Sequence, residues 1–377
     1  LGHGDVLIVS RNIYGGAHQL IHDWYGKSAN LDIAVESFAG YDAAAFEQCW
    51  QQVQEKHADR FARGLNAYLY LESPCNPHGY VLDLPAICRR AHEAGLRVIL
   101  DATVGTPFLV KPLQRDDPAE RPDFIVHSYT KDLSGTGSVI AGVLIGKAED
   151  MFLPKGEKHN GRSWQETVFW NVYYVKGAFL NADAAFEVLQ GIRTLEVRML
   201  TKCINTRILA RFLAAHPSIN VHCNELPHDP NYALREKHLH LGLPAPLFTF
   251  DFEGANIPPV AFQRFFDNLS PTFDHMISLG QSNTIVSCPA LTTHSELSPE
   301  DLAKAGIPPT MIRVAVGDED PRDLLVHLVN AAKLAIDPEV PGFSDAFPSP
   351  DEARALVQDC YLDSHRKYIE AKTVDRW

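Results

Sequence analysis

Short apolar runs that end in polar residues alternate with helical patterns, and this alternation constrains the fold more than any other feature of the chain. The runs Ala67–Glu72 and Arg97–Asp101 each predict a strand. Between them, apolar residues at helical spacing predict a helix from residue 84 to residue 95. A strand, a helix and a strand in this order form a parallel unit, and ligands of open parallel sheets bind beyond the carboxyl ends of the strands. The sequence therefore predicts an α/β fold with a ligand site at one edge of the sheet.

A third apolar run leads to a lysine in a loop of small and hydroxylated residues. Residues 125–127 predict a buried strand, and Lys131 follows with Ser128 and Thr130 beside it. These hydroxyls could bind a phosphate, and a lysine that forms a Schiff base must be shielded from bulk water. A solvated loop lysine gives the same local pattern, so the inference depends on the upstream strands as well. The polar residues expected to gather at the edge of the sheet are Glu72, Asn76, Asp101, Ser128 and Lys131.

A series of short stretches, in order along the chain, resembles the Cys/Met-metabolism family of pyridoxal-phosphate (PLP) enzymes. This family includes cystathionine and methionine lyases, cystathionine synthases and acyl-homoserine sulfhydrylases. The resemblance implies the fold-type I PLP-dependent transferase fold, similar to aspartate aminotransferase, with a mostly parallel sheet and a smaller α/β carboxyl-terminal domain. The matching stretches are residues 13–16, 72–77, 101–103, 127–131, 193–195 with 198–199, 278–280, 289–294, and 312–313 leading to Gly317.

The resemblance implies PLP as the cofactor and three catalytic residues. Lys131 would hold the cofactor as a Schiff base and carry protons between substrate carbon atoms. Asp101 would pair with the pyridine nitrogen and keep it protonated, so that the ring accepts electrons from the substrate carbon. Tyr14 would stack on the ring and could protonate the departing sulfur. The implied cofactor-binding residues are Tyr14, Asn76, Asp101, Thr103, Ser128, Thr130 and Lys131.

An arginine that interrupts an apolar run is the expected anchor of the substrate. Arg313 lies within residues 311–316, and a buried guanidinium requires an anionic partner, for which the carboxylate of an amino acid has a suitable shape. Apart from the resemblance, an arginine on an edge strand is the more common case. The resemblance implies a substrate-binding set of Asn76, Ser278, Leu279 and Arg313. We predict no metal site, because His238 and His240 have only Glu236 as a close acidic neighbour.

The reaction implied by the resemblance is elimination of a thiol from a cysteine-, cystathionine- or methionine-like amino acid, with release of ammonia and a 2-oxo acid. Replacement by an incoming thiol uses the same intermediates, so an O-acylhomoserine sulfhydrylase or a cystathionine γ-synthase remains the alternative. Residues 292–294 and 298–301 are similar to sulfhydrylases, whereas residues 278–280 are similar to lyases. A non-catalytic homologue is a further alternative, because two residues depart from the family pattern: Ala102, which follows Asp101, and Asp132, which follows Lys131.

The resemblance implies a small sulfur amino acid as the substrate, and the composition agrees with a cytoplasmic enzyme. The chain has 377 residues, of which 45% are hydrophobic, and a net charge of −13 that disfavours nucleic acid and anionic membranes as partners. No apolar run reaches the roughly 18 residues that a membrane helix needs. The seven cysteines are dispersed without a Cys-x-x-Cys pair, which indicates reduced thiols. The resemblance implies a homo-oligomer built as a dimer of dimers.

We expect a PLP-binding domain over residues 1–200, a small domain over 201–337, and a linker with an extra helix over 338–377. Residues 1–10 resemble a strand well inside the cofactor domain, so this domain is expected to lack its start. The aromatic segment 160–174 is expected either to narrow the substrate pocket or to fill core, and filling core is the more common case for aromatic clusters. Further strands are predicted at residues 246–251 and 311–316, and helices at 181–215, 259–268, 322–334 and 349–371.

Overall fold

A computed structural model describes residues 1–292, residue 302 and residues 307–373. The described chain divides into two compact units. Unit 1 comprises Leu1–Ser73, Leu82–Thr106 and Lys111–Arg193, and unit 2 comprises Pro74–Val81, Pro107–Val110 and the chain from Thr194 onwards. The division into three domains at residues 200 and 337 stays a prediction.

Unit 1 is built on a six-stranded sheet. Its strands lie in the order β2-β1-β3-β4-β5-β6. The first five strands in this order pair in parallel, and β6 is antiparallel to β5. The mostly parallel sheet that the sequence predicted is therefore confirmed. The strands are β1 (Val6–Ser10), β2 (Ala34–Phe38), β3 (Ala67–Glu72), β4 (Arg97–Asp101), β5 (Phe124–Ser128) and β6 (Gly142–Gly146).

Helices cover this sheet and bury its apolar side chains. The predicted helix between β3 and β4 is α4 (Leu84–Glu93), whose buried residues Leu84, Ile87, Cys88 and Ala91 follow the helical period. These residues join the strand residues Leu69, Leu71, Val98 and Leu100 in one hydrophobic core. The other helices of the first part of the chain are α1 (Gly15–Gln19), α2 (Ala43–Lys56), α3 (Ala58–Ala62), α5 (Thr106–Leu109) and α6 (Ala148–Met151).

The aromatic segment of residues 160–174 does not fill the core, so this expectation was wrong. Its first residues form the turn and second strand of a short hairpin of β7 (Lys158–His159) and β8 (Arg162–Ser163). Its rings stack on one another instead, with centroids of Trp170 and Tyr174 5.0 Å apart, and Tyr174 is 62% exposed. Local ring stacking thus replaces burial against the sheet.

The long helix α7 (Ala182–Ala214) matches the prediction for residues 181–215. The division between the units falls within it, after Arg193. The sequence pattern places Ala185, Val188, Leu189 and Ile192 on one face, but the structure buries Ala184 and Val188 and exposes Leu189 and Ile192. The buried stripe of α7 is therefore rotated toward Ala184, because that side contacts the loop after β5.

Unit 2 contains a five-stranded sheet in the order β11-β12-β13-β10-β9. The strand β13 lies at the centre, antiparallel to both β10 and β12. The strands and helices that the sequence predicted in this part of the chain are confirmed as β10 (Leu247–Asp251), β13 (Ile312–Ala315), α9 (Pro259–Asp267), α10 (Pro321–Ala335) and α11 (Pro350–Thr373). The structure also contains elements that the sequence analysis did not predict, which are β9 (Asn220–His222), β11 (Asp274–His275), β12 (Ile285–Ser287) and α8 (Tyr232–His238).

The last helix, α11, is attached to α7 through a buried charge cluster. Nη1 of Arg207 donates to Asp363 at 2.8 Å and to Ser364 at 2.7 Å. Nε of the same arginine donates to Glu225 at 3.0 Å, and Arg211 donates to that carboxylate as well. Glu225 is almost fully buried, so its charge is neutralised by these guanidinium groups rather than by water.

We expect Glu225→Gln to lower the free energy of unfolding by about 3–5 kcal/mol, because it removes the buried carboxylate that Arg207 and Arg211 share and leaves Arg207 only the more exposed Asp363 as a charged partner. Urea unfolding followed by circular dichroism measures the change. Arg354→Gln, which breaks the exposed pair with Asp351, is the matched control and should cost at most about 1 kcal/mol. Equal losses in the two variants would contradict the role of the buried cluster.

Candidate functional site

Lys131 lies in a short helical turn directly after β5. The turn spans Tyr129–Leu133, and its backbone leaves the helical conformation at Lys131. The carbonyl oxygen of Lys131 accepts hydrogen bonds from the Gly135 amide at 2.9 Å and from Oγ of Ser134 at 3.3 Å. The lysine is half-buried, whereas the next residue, Asp132, is almost fully buried. The predicted arrangement of a buried strand followed by a lysine loop is therefore found.

The first turns of α7 hold this loop in place. Gly191 approaches it so closely that a β-carbon there would lie 2.5 Å from the carbonyl oxygen of Leu133 and would overlap that of Ser134. Val188 and Ala184 pack one and two turns earlier against Tyr129 and its neighbours in the loop. The backbone that carries Lys131 is thus fixed by direct contact with a helix, a feature that local sequence patterns did not reveal.

Asp101 ends the neighbouring strand β4, and its carboxylate is held from two sides. Oδ2 accepts a hydrogen bond from the hydroxyl of Tyr70 at 3.2 Å, and Oδ1 accepts one from the amide of Thr103 at 2.9 Å. Burial raises the pKa of Tyr70, and the carboxylates of Asp101 and Glu72 raise it further. The phenol therefore stays protonated and continues to donate to Asp101 over the physiological range of pH.

His127 and Tyr70 are neighbours of Asp101 that the sequence-based assignment of site residues did not include. His127 is buried, which lowers its pKa, and the charge of Asp101 opposes this shift only in part. The imidazole is therefore neutral at neutral pH. His127 directly precedes Ser128 in β5, and Tyr70 lies two residues before Glu72 in β3. This proximity to motif residues was the available sequence signal.

The hydroxyl residues of the edge differ in their hydrogen bonds. Oγ1 of Thr103 accepts a hydrogen bond from the Ser128 amide at 3.0 Å, which ties the ends of β4 and β5 together. Oγ1 of Thr130 donates to the carbonyl oxygen of Ala141 at 3.3 Å and accepts from its amide at 3.1 Å. The Thr130 hydroxyl thus supports the lysine loop, and phosphate binding by Thr130 and Ser128 stays a prediction.

Tyr14 lies at the start of α1 and is anchored through its backbone. Its amide donates to Oε2 of Glu72 at 2.6 Å, and Glu72 ends β3. The phenol is 53% exposed, so it is open to a bound molecule. Unit 1 therefore brings a tyrosine, carboxylates, hydroxyls and one lysine to the carboxyl edge of its sheet: Tyr14, Glu72, Asp101, Thr103, Ser128, Thr130 and Lys131.

Arg313 lies on the central strand β13 of unit 2, so the alternative of an edge-strand arginine was wrong. It is 5% exposed. Its Nη2 donates to the carbonyl oxygen of Ser278 at 2.9 Å, and its Nη1 donates to Oδ1 of Asn76 at 3.2 Å. Leu279 is buried beside Ser278. Unit 2 therefore brings together the four residues that the sequence assigned to substrate binding.

Other sequence-based expectations have a plainer outcome. All seven cysteines are buried, and none of them forms a disulfide bond. Among residues 1–292, 302 and 307–373, no cluster of histidine, cysteine and acidic side chains could hold a metal ion, and no helix could cross a membrane. The sulfhydrylase-like residues Thr293, His294 and 298–301 lie outside the described residues.

We expect Gly191→Ala to lower the free energy of unfolding by about 1–3 kcal/mol, because the added methyl group forces the lysine loop away from α7. Gly15→Ala is the control. Apart from its two chain neighbours and the backbone of its own helix, no described residue has an atom within 4 Å of the position of that methyl group. The change should therefore be neutral or stabilise by about 0.5 kcal/mol. Thermal unfolding of both variants measures the difference, and equal midpoints would contradict the close contact.

Comparisons with known proteins agree with this geometry. The chain matches the sequence model of the Cys/Met metabolism PLP-dependent enzymes over residues 1–333. It is 34% identical to an L-methionine gamma-lyase of Porphyromonas gingivalis over 69% of this chain and 60% of that enzyme, so it spans less than two thirds of that relative. It is 28% identical to an O-acetyl-L-homoserine sulfhydrylase of Leptospira meyeri over 88% of this chain and 75% of that enzyme.

Solved structures give the same result for the fold. A cystathione gamma lyase from Micromonospora echinospora superimposes with a TM-score of 0.71 at 28% identity, over 88% of this chain and 77% of that one. The family match covers most of the chain, and it includes the lysine turn, Asp101 and Arg313. The chain therefore belongs to the Cys/Met metabolism family of PLP-dependent enzymes.

Proposed function

We propose that the chain forms the body of a PLP-dependent carbon–sulfur lyase, which eliminates a thiol from a cysteine-, cystathionine- or methionine-like amino acid. The products are the thiol, ammonia and a 2-oxo acid. Asp101 is the last residue of β4, and Lys131 follows the adjacent parallel strand β5. This placement is the observation that carries the proposal. Relatives named as methionine gamma-lyases support the choice of elimination.

The side chains at this edge of unit 1 fit PLP by their chemistry. The amine of Lys131 can form a Schiff base, the carboxylate of Asp101 can pair with a protonated ring nitrogen, and the hydroxyls of Ser128 and Thr130 have the chemistry to bind a phosphate. The carboxylate of Asp101 is already oriented by Tyr70 and Thr103. When bound, PLP supplies an electron sink for the charge left on the substrate carbon after it loses its proton.

The residues of unit 1 would then divide the proton transfers. Lys131 would take the proton from the substrate α-carbon and carry protons between carbon atoms as a general base and acid, because its backbone is fixed and its amine lies on a flexible four-carbon stem. Asp101 would keep a negative charge opposite the ring nitrogen, where the Tyr70 hydrogen bond stabilises it. Tyr14 would donate a proton to the departing sulfur through its exposed phenol.

The residues of unit 2 would bind the carboxylate of the substrate. Arg313 offers a planar guanidinium with a fixed orientation, set by its hydrogen bonds to Ser278 and Asn76. A pre-oriented guanidinium loses little side-chain entropy when it binds a carboxylate in a bidentate manner. Asn76 and the Ser278–Leu279 backbone would complete this part of the recognition.

Replacement of the leaving group by an incoming thiol is the second candidate. The similarity to the sulfhydrylase of Leptospira meyeri favours it, and the same residues could perform it. The departures from the family pattern at Ala102 and Asp132 give little support to a non-catalytic homologue. Asp132 is 1% exposed and Ala102 is fully buried, so both substituted positions are packed inside the chain.

We also propose that the enzyme works in the cytoplasm as a homotetramer, a dimer of dimers. The buried cysteines, none of which forms a disulfide bond, support a reducing compartment. Phe186 and Leu189 on α7 are 60% and 59% exposed, and apolar side chains of this size suit a subunit interface. A monomer in light scattering of the holoenzyme would contradict the tetramer.

We expect the chain with PLP to release a 2-oxo acid from cysteine, cystathionine or methionine without added thiol. Lys131→Ala should lower the rate by at least about 10²-fold, since proton transfer by a positioned base contributes this much or more. Lys111→Ala, which changes an exposed lysine of unit 1, is the control and should retain the activity. Turnover of an acyl-homoserine only when thiol is present would move the assignment to replacement, and unchanged activity in Lys131→Ala would refute both.

We expect Arg313→Lys to lower kcat/KM for the best substrate by about 10–100-fold, mainly through KM, because a charged hydrogen bond contributes about 1.5–3 kcal/mol and an ammonium cannot bind a carboxylate as a planar fork. Steady-state kinetics measures the change. Arg322→Lys, at an exposed pair with Asp320, serves as the control. An unchanged KM in Arg313→Lys would exclude this arginine as the carboxylate anchor.

A further inference from the structure

A row of polar side chains crosses the sheet of unit 2 beside Arg313. Directly paired positions in neighbouring strands are Ser287 and Arg313, Arg313 and Thr249, and Thr249 and His222. Side chains at paired positions point to the same face of a sheet and lie about 5 Å apart. Arg313 and Thr249 are therefore adjacent on one face, and Thr249 is fully buried.

Residues 74–81, here called the strap, lie against this sheet. A β-carbon at Gly79 would overlap the carbonyl oxygen of Leu247 in β10, and Gly79 has a φ of +70° that favours glycine. Asn231 donates to and accepts from the backbone of Val81 at 2.8 Å in both directions. The hydroxyl of Tyr80 donates to Asp229 at 2.8 Å. The carboxyl half of the strap is thus fixed to unit 2.

The strap also carries two side-chain contacts to adjacent members of the polar row. Asn76 accepts a hydrogen bond from Arg313 at 3.2 Å. Two residues later, Nδ1 of His78 lies 2.9 Å from Oγ1 of Thr249. Burial lowers the pKa of His78 to about 4, and the neighbouring His222 lowers it as well. His78 is therefore neutral at neutral pH and adds no charge that would compete with the guanidinium.

We propose that His78 and Thr249 are positioning residues, whose hydrogen bond holds Asn76 against the Arg313 guanidinium and so sets that guanidinium for the substrate carboxylate. This inference rests on the proposed role of Arg313. Loss of the hydrogen bond loosens the part of the strap that carries Asn76, because His78 and Asn76 make adjacent side-chain contacts to the polar row. The contact that orients Nη1 of Arg313 is then weaker, and the guanidinium is held less firmly in one orientation.

The test uses the holoenzyme and two small amines that lack a leaving group. Glycine has a carboxylate for Arg313 and methylamine has none, and visible absorption of the bound cofactor reports the binding of each. Thr249→Val should lower the affinity for glycine by about fivefold, which is the net effect of one hydrogen bond. The affinity for methylamine should stay unchanged. Thr249→Ser, which restores the hydroxyl, should restore the affinity for glycine.

Thr272→Val is the matched control, because Thr272 forms another threonine–histidine contact in unit 2, 3.1 Å from Nδ1 of His327. It should leave both affinities unchanged. Equal weakening of glycine and methylamine in Thr249→Val, failure of Thr249→Ser to restore glycine binding, or an equal effect of Thr272→Val would overturn the proposal.

Amide hydrogen exchange of the strap in the cofactor-free protein separates this inference from the proposed function. Exchange at Gly79, whose amide donates to Cys75 at 2.8 Å, should be several-fold faster in Thr249→Val than in the wild type. Faster exchange in a chain that does not bind PLP would support the positioning contact and refute the proposed function. Unchanged exchange would overturn the positioning role, whatever the enzyme's activity.

Discussion

The parallel pairing of β3, β4 and β5 is the constraint on which the rest of unit 1 depends. Parallel strands end at the same edge of a sheet, so Glu72 pairs with Asp101 while the lysine turn follows β5 at that edge. The register is fixed because Leu71, Leu100 and Ile125 are buried, and a slip by one residue would turn these side chains to the other face. Chemistry at the edge thus follows from hydrophobic burial in the middle of the sheet.

Much of this arrangement was predictable from the sequence, because strand ends and helices are local features. The apolar run before Lys131 and the helical spacing of Ile87 and Ala91 each depend on neighbours within a few residues. The position of β13 was not predictable in this way. Whether Arg313 lies at the edge or in the centre depends on pairing with β10 and β12, which come from distant parts of the chain.

Close backbone contacts were missed for a related reason. A side chain at Gly191 would collide with the backbone of Ser134, and a side chain at Gly79 would collide with the backbone of Leu247. Gly191 and Ser134 are 57 residues apart in the sequence, and Gly79 and Leu247 are farther apart still. The buried face of α7 shows the same limit. Periodicity predicted a helix, but the identity of its buried side depended on the lysine loop that contacts Ala184 and Val188.

Burial also decides which groups beside the site carry charge. Tyr70 next to Asp101 and His78 near Arg313 have pKa values shifted by burial so that both side chains are neutral at neutral pH. Neutral donors and acceptors can orient a carboxylate or an amide without adding a competing charge, whereas a charged neighbour would weaken the ion pair with the ligand.

The motif from Glu72 to Pro77 contains two functional elements. Glu72 is fixed by hydrogen bonds within unit 1, and Asn76 is fixed by the strap within unit 2. A motif that is continuous in sequence thus supplies one residue to the edge that would hold the cofactor and another to the arginine that would hold the substrate.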